Sequence, residues 1–302
     1  MKCKKCPQKA VIKIPRANAA FCPEHFNEFF YKQTEKGIED FRMLSKEDRT
    51  MVCVSGGKDS LVLWHVLSEL GYDVTGMYID LGIPGYSDRS KERVNTFAVR
   101  RGLKIITVDL KELGYAVPDV AKSAKRQDCS VCGTIKRYYF NKIAYDYNFD
   151  AVATGHNLDD ESSRLLGNLL HWSEEYLPGM SPVLPAEGKM MKKKVKPLIR
   201  LTEKETAAFC IVNGIDYIME ECPMSRGATS LVYKDALNRI EDDMPGTAHY
   251  FYFQYFKKAK KWFSVPDRKG EGDTTLCESC GMETFTDKCS FCRLVEKMNE
   301  QS

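Results

Sequence analysis

Hydrophobic and polar positions follow two different periods through the middle of the chain. Short runs rich in β-branched residues predict strands at residues 50–55, 73–81, 103–110 and 151–156. Apolar residues at helical spacing predict helices at residues 60–70, 89–102 and 158–170. This alternation predicts an α/β fold with a doubly wound parallel sheet, and such sheets bind ligands at the carboxyl ends of their strands.

The composition is that of a globular protein with one large domain and small additions. The chain has 302 residues, of which 43% are hydrophobic and 29% charged, with a formal net charge of +3. No apolar run has the length of a membrane span, and the N-terminus lacks a signal-peptide core, so we expect a cytoplasmic protein with no membrane partner. Basic clusters at residues 189–200 and 257–262 are compatible with RNA binding, although such runs are more often solvated surface.

Seven of the twelve cysteines, together with one histidine, form a set of four near each end of the chain. A reducing compartment favours metal binding over disulfides, and two close ligand pairs can complete a tetrahedron around zinc. The two expected zinc sets are Cys3, Cys6, Cys22, His25 and Cys277, Cys280, Cys289, Cys292. We therefore expect an N-terminal zinc finger (residues 1–30), a catalytic domain (31–270) and a C-terminal zinc ribbon (271–302).

A phosphate-binding loop is predicted where the first strand ends. Its glycines allow close backbone approach, the next helix offers free N–H groups, and hydroxyl and ammonium groups add donors. The six residues are Ser55, Gly56, Gly57, Lys58, Asp59 and Ser60. The sequence SGGKDS differs from Walker A and dinucleotide motifs. It resembles the PP-loop of N-type ATP pyrophosphatases, which implies ATP cleavage between the α and β phosphates.

A second polar stretch, residues 155–160, follows the strand at residues 151–156. The stretch resembles one that faces the nucleotide in tRNA-modifying members of the same superfamily. This resemblance implies nucleotide contacts for Gly155, His156 and, from the second strand, Ile79, although His156 is equally interpretable as a packing histidine. Adjacent carboxylates at a helix start can bind Mg²⁺ with ATP, act as a base, or cap the helix. We assign chemistry to Asp160 and to Asp59 of the loop, and a structural role to Asp159.

Five cysteines lie outside the terminal sets. Cys53 and Cys210 lie in apolar segments and are interpreted as core residues. Cys129, Cys132 and Cys222 admit three hypotheses: a redox pair of the first two, a persulfide mechanism using the last two, or an iron–sulfur cluster using all three. Three thiolates around four irons would leave one iron open, and an open iron can hold sulfide.

The loop SGGKDS, the central CxxC, the remote third cysteine and the two terminal metal sets together resemble the TtuA/NcsA group of tRNA 2-thiouridine synthetases. The resemblance covers essentially the whole chain. It implies an oxygen-sensitive [4Fe–4S] cluster on Cys129, Cys132 and Cys222, with ATP at the loop. It also implies tRNA as substrate, a homodimer, and a sulfur donor such as a ubiquitin-like thiocarboxylate carrier or free sulfide. The lone third cysteine favours the uridine branch over the related TtcA cytidine thiolases.

The implied chemistry adenylates the C2 carbonyl oxygen of a uridine, so that it leaves as AMP when sulfide attacks. Lys136, one helical turn after Cys132, is expected to lie between cluster and nucleotide, with Asp160 as its partner. Three alternatives remain open: thiolation through a cysteine persulfide, amine ligation as in lysidine synthetases, and a non-catalytic zinc-dependent RNA-binding protein. The sequence does not distinguish a wobble uridine from a T-loop uridine.

Overall fold

The computed structural model of this protein describes residues 1–224, 229–263 and 274–300. The strands are β1 (Ile12–Ile14), β2 (Ala19–Phe21), β3 (Thr50–Val54), β4 (Val74–Asp80), β5 (Ile105–Asp109), β6 (Ala151–Thr154), β7 (Val183–Leu184), β8 (Lys193–Val195), β9 (Thr275–Leu276) and β10 (Glu283–Thr284). The helices are α1 (Pro23–Asp40), α2 (Lys58–Glu69), α3 (Tyr86–Arg101), α4 (Val117–Ser123), α5 (Asp128–Asp146), α6 (Leu158–Leu170), α7 (Glu203–Val212), α8 (Thr229–Asp243), α9 (Thr247–Gln254) and α10 (Ser290–Asn299).

A central sheet has the strand order β5-β4-β3-β6-β8-β7, and only the edge strand β7 runs antiparallel to its neighbour. This confirms the predicted parallel α/β fold. The chain moves outward from β3 to β4 and β5 on one side, and then continues through β6 and β8 on the other. The strand order therefore reverses between β3 and β6, where a doubly wound sheet opens a crevice for a ligand.

Helices cover both faces of the sheet, and each face has its own core. Successive residues of a strand point to opposite faces, so neighbouring residues belong to different cores. In β3, Val52 and Val54 join the core formed with α1, α2, α3, α6, α7 and α9. Met51 packs into the opposite core, with α4, α5 and α10. Burial on both faces explains why the predicted strands are almost continuously apolar.

The two cysteine-rich ends of the chain pack on opposite faces of this sheet. Cys3, Cys22 and α1 belong to the first core, whereas Cys277, Cys292 and α10 belong to the second. Phe291 of α10 stacks on Tyr138 of α5, with ring centroids 4.1 Å apart and planes 14° from parallel. The C-terminal module therefore packs directly on the helix that carries the central CxxC.

The proposed domain boundaries remain predictions. Residue 30 lies within the continuous helix α1, and the boundary at residues 270 and 271 lies outside the described residues. Among the described helices, none has the length and apolar character needed to cross a bilayer.

Gly76 in β4 tests how tightly helix and sheet are packed. A Cβ atom there would lie 2.5 Å from the buried indole ring of Trp64 in α2. We expect Gly76→Ala to lower the free energy of unfolding by about 1–3 kcal/mol or more, because the ring has no room to move. Denaturant unfolding would measure this. In a Trp64→Phe background the same substitution should lower the free energy of unfolding by less. An equal loss in both backgrounds would contradict the steric explanation.

Candidate functional site

The loop after β3 is held in a fixed conformation by its neighbours. Gly56 has a φ of +80°, and a Cβ atom there would lie 2.9 Å from the Ser90 hydroxyl oxygen. That hydroxyl donates a hydrogen bond to the Ser55 carbonyl oxygen at 2.7 Å, and the Ile218 N–H donates to the Gly56 carbonyl oxygen at 2.9 Å. The loop therefore requires glycine for both backbone conformation and space.

The start of α2 offers free donors to an anion. Ser60 donates to the Gly57 carbonyl oxygen at 2.9 Å and accepts from the Ser55 N–H at 3.1 Å. In the described part of the chain, no side chain caps this helix at Gly57. Its first N–H groups and the positive end of its dipole are thus available to a phosphate.

The end of β6 lies directly against the phosphate loop. A Cβ atom on Gly155 would lie 2.8 Å from the Ser60 nitrogen, so this close approach requires glycine. The next residue, His156, is exposed, and its Nδ1 lies 2.8 Å from the Thr154 hydroxyl oxygen. It lines an open cavity of about 680 Å³ beside the loop. His156 therefore lies at this cavity, and its contact with the nucleotide stays a prediction.

The start of α6 combines capping with a link to the phosphate loop. The Asn157 side chain accepts from the N–H groups of Asp159 and Asp160, and the Asp160 carboxylate accepts from the Asn157 N–H. Asn157 also donates to the Asp59 carboxylate at 3.2 Å. Buried Asp159 accepts from the Glu203 N–H at 2.6 Å, and burial raises its pKa to about 6. Asp159 therefore has the structural role that we expected, and Asp160 caps the helix as well.

Asp160 forms its ion pair with Lys234 of α8, at 2.7 Å. The expected pair of Asp160 with Lys136 is wrong, since no ion pair joins them among the described residues. The reason is position: α8 packs along α6 and brings Lys234 to its first turn, whereas Lys136 on α5 faces a different cavity. Lys58, expected at a phosphate, pairs here with Glu203 at 2.5 Å and with Asp59 at 3.2 Å.

A cavity of about 130 Å³ joins the phosphate loop to the central cysteines. It is lined by Ser55 of the loop, by Ile79, and by the side chains of Cys132, Lys136 and Cys222. Cys132 and Lys136 are one turn apart in α5, which confirms that they share a helix face. Burial raises the pKa of the Cys132 thiol, and the nearby Lys136 ammonium opposes that shift.

Cys129, the remaining one of the three central cysteines, lies at the start of α5. Cys129 is the second residue of this helix, and its Sγ donates to the Met224 carbonyl oxygen at 3.1 Å. The CxxC therefore lies inside the first turns of the helix and not ahead of it.

The two remaining cysteines differ from each other. Cys210 in α7 is buried, which confirms it as a core residue. Cys53 in β3 is half-buried and lines the cavity of Cys132 and Cys222. Its interpretation as core alone is therefore incomplete, because its strand position points it to the α5 face of the sheet.

Each terminal set of four brings its ligand atoms within 4.8 Å of one another and can hold a metal ion. In the first set, Cys6 Sγ lies 3.7 Å from Cys22 Sγ, and in the second, Cys280 Sγ lies 3.8 Å from Cys289 Sγ. Tetrahedral zinc with bonds of about 2.3 Å separates two sulfurs by about 3.8 Å. The geometry therefore fits zinc.

Several site residues were missed by the sequence interpretation. Glu203 forms an ion pair with Lys58 of the loop, and Lys234 pairs with Glu203 and Asp160. The Thr206 hydroxyl donates to Asp59 at 2.5 Å. The sequence TEKE at residues 202–205 is typical of a helix start, and the structure confirms a capping box there. That pattern locates the helix but does not reveal what its first residue contacts.

A phosphate loop at the switch point of a parallel sheet, with two acidic helix starts beside it, defines a PP-loop nucleotide-binding enzyme. Comparison with known families agrees: the PP-loop domain matches residues 27–226, and the N-terminal LIM domain of the 2-thiouridine synthetase TtuA matches residues 2–27. This chain belongs to the TtuA family of tRNA 2-thiouridine synthetases, which confirms the expected enzyme class, a sulfurtransferase.

The chain is similar to characterised relatives over nearly its full length. It is 47% identical to the tRNA-5-methyluridine(54) 2-sulfurtransferase of Pyrococcus horikoshii, covering 97% of this chain and 93% of that protein. It is 45% identical to the protein of the same name from Thermus thermophilus, covering 97% and 91%. The U34-tRNA thiolase NcsA of Methanococcus maripaludis, solved with its [4Fe–4S] cluster, shares the fold with a TM-score of 0.80, 24% identity, and coverage of 98% and 96%.

Proposed function

We propose that this enzyme replaces the 2-oxygen of 5-methyluridine 54 in tRNA with sulfur, at the expense of ATP. The observation that carries the proposal is the single cavity shared by the phosphate loop, Cys132, Cys222 and Lys136. An activated carbon and its sulfur source must meet, and this cavity puts nucleotide and thiol chemistry side by side. Relatives at 47% and 45% identity that are named for position 54 support the T-loop uridine over the wobble uridine.

The phosphate loop performs the activating step in this proposal. A pyrimidine carbonyl oxygen is a poor leaving group, so it attacks the α-phosphate of ATP, the bond to the bridging oxygen breaks, and pyrophosphate leaves. The N–H groups at the start of α2 and the Ser55 and Ser60 hydroxyls stabilise the charge that develops on phosphate. Asp59 and Asp160, at two adjoining helix starts, are the proposed ligands for the Mg²⁺ of ATP.

The three central cysteines are the proposed ligands of a [4Fe–4S] cluster. Their chemistry fits: they are three thiols, of which Cys132 and Cys222 face one cavity and Cys129 begins the same helix as Cys132. When bound, the cluster would supply the sulfur that replaces the uridine oxygen. Lys136 lines the same cavity, where its side chain would favour the Cys132 thiolate and stabilise the charge on the adenylated uridine.

The terminal sets are proposed to hold one structural zinc each. Their ligands number four, which leaves no open position for a reaction. Since small modules bury little core without metal, each zinc would order its module and fix it to one face of the sheet. The C-terminal module would thereby support α5 through the stack of Phe291 on Tyr138.

The proposed partners follow from this chemistry. The proposed substrate is tRNA, the proposed location of the reaction is the cytoplasm, and the proposed sulfur donor is a ubiquitin-like thiocarboxylate carrier or free sulfide. We also propose a homodimer, which light scattering on the purified protein would test.

The function is tested on unmodified and 5-methyluridine-containing tRNA with Mg²⁺-ATP and sulfide, without oxygen. We expect the mass of the nucleoside at position 54 to rise by the difference between one sulfur and one oxygen atom. One AMP and one pyrophosphate should be released per thiolated tRNA. A tRNA with cytidine at position 54 is the control. Thiolation at position 34 would correct the target, and absence of AMP release with every tRNA would favour a non-catalytic RNA-binding protein.

A further inference from the structure

Two lysines from distant parts of the chain converge on one carboxylate beside the phosphate loop. Lys58, from the start of α2, approaches one oxygen of Glu203 at 2.5 Å, and Lys234, from α8, approaches the other at 2.9 Å. Lys234 also contacts Asp160 at 2.7 Å. Glu203 therefore bridges a loop lysine and a lysine more than two thirds of the way along the chain.

The bridge holds charges that would otherwise be poorly solvated. The Lys234 side chain is only 18% exposed, and burial alone would lower its pKa, but Asp160 and Glu203 raise it above its usual value. Burial alone would raise the pKa of Glu203, but hydrogen bonds from Lys58 and Lys234 hold it below its usual value. Both lysines are thus cationic, and an anion with two acceptor oxygens lies between them.

A carboxylate between two ammonium groups occupies the kind of position that a phosphate takes in nucleotide sites. The direction of the nucleotide supports this comparison. The α-phosphate must face the cavity of Cys132 and Lys136, where the uridine carbon meets sulfur. Asp160, Lys234 and His156 line the open 680 Å³ cavity, and Gly155, the neighbour of His156, lies against Ser60 of the loop. The inference places the β and γ phosphates in this cavity.

We propose that Lys234 is a second phosphate-binding lysine, which contacts the β and γ phosphates of ATP and then the pyrophosphate product. Glu203 is its counter-ion in the nucleotide-free enzyme and gives up both lysines when the triphosphate binds. This inference rests on the proposed function only in taking ATP as the nucleotide at the loop. When Lys234 moves to the phosphates it leaves Asp160, and that carboxylate is then free to bind Mg²⁺.

The test measures binding by calorimetry, with Mg²⁺ and without tRNA or sulfur donor, for ATP, pyrophosphate and AMP. Lys234→Met is expected to lower the affinity for ATP and pyrophosphate about tenfold or more, because a charge-assisted hydrogen bond is lost. The affinity for AMP should stay within about twofold of the wild-type value. Lys234→Arg should restore most of the affinity. The control is Lys204→Met, since Lys204 pairs with Asp242 at the surface and is 69% exposed.

Equal loss of affinity for all three ligands in Lys234→Met would overturn the inference, because Lys234 would then only hold the start of α6 in place. Unchanged affinity for ATP and pyrophosphate would also overturn it. Glu203→Gln should bind pyrophosphate more tightly than the wild type, since a competing negative charge is removed. If that variant instead binds as weakly as Lys234→Met, Glu203 positions the lysines and is not displaced.

These results separate this inference from the function proposed above. Lys234-dependent ATP binding in an enzyme that thiolates no tRNA would contradict the function and leave the lysine assignment intact. If the enzyme thiolates tRNA but its affinity for pyrophosphate does not depend on Lys234, the proposed function stands and the lysine assignment is contradicted.

Discussion

Cys222→Ala is expected to abolish tRNA thiolation, by at least about 10³-fold, because the three central thiols act as one unit. Anaerobically purified wild type should contain about four irons and two zincs per chain, and the variant should lose iron and acid-labile sulfide while keeping zinc. Selective loss is expected because Cys222 lines the cavity of Cys132, whereas the zinc ligands lie in separate modules. Metal analysis and thiolation assays on the same preparations measure both effects.

Cys210→Ala is the matched control for this experiment. Cys210 is also a single cysteine outside the terminal sets, but it is buried in α7 within the other core. It should keep iron and activity. Zinc without iron in anaerobic wild type, with activity still dependent on Cys222, would replace the cluster by a persulfide mechanism, in which one of Cys132 and Cys222 carries the persulfide and the other is the resolving thiol. AMP release without thiolation, equal in wild type and Cys222→Ala, would favour amine ligation, which needs none of the three thiols.

Local patterns were sufficient to predict the framework of this fold. The helix at residues 158–170 has the predicted bounds, and the four predicted strands differ from the observed ones by at most two residues at either end. Buried parallel strands and amphipathic helices differ in period, so each is readable from a short window. The terminal metal sets were readable for the same reason, because each ligand pair lies within a few residues.

The ion pairs of the site could not be predicted in this way. Glu203 and Lys58 are separated by 145 residues, and Lys234 lies on an ordinary amphipathic helix. A charged residue at such a position is usually a solvated surface group, and only the packing of α8 on α6 makes it a site residue. The wrong partner for Asp160 has the same origin: spacing fixed the face of Lys136 on α5 but not what lay opposite that face.

Lys136→Met is expected to lower kcat for thiolation by about 10²- to 10⁴-fold, the range for removing a group that moves protons or stabilises charge in the transition state. Iron and zinc content should stay at the wild-type level, because Lys136 is not a ligand in either metal assignment. Affinity for ATP should also change by less than about twofold, since the phosphates are held by the loop and not by α5. Single-turnover thiolation and metal analysis test these expectations together.

Lys142→Met supplies the control, because Lys142 lies on the same helix but pairs with Asp146 at the surface. It should behave as the wild type. Measuring AMP release in Lys136→Met divides the reaction: release without thiolation would place the lysine in the sulfur-transfer step, and loss of both would place it in adenylation. Loss of iron together with activity would contradict a chemical role, since Lys136 would then stabilise the thiolates of Cys132 and Cys222 so that they can hold the cluster. The cavity that these three residues share makes sulfur transfer the expected step.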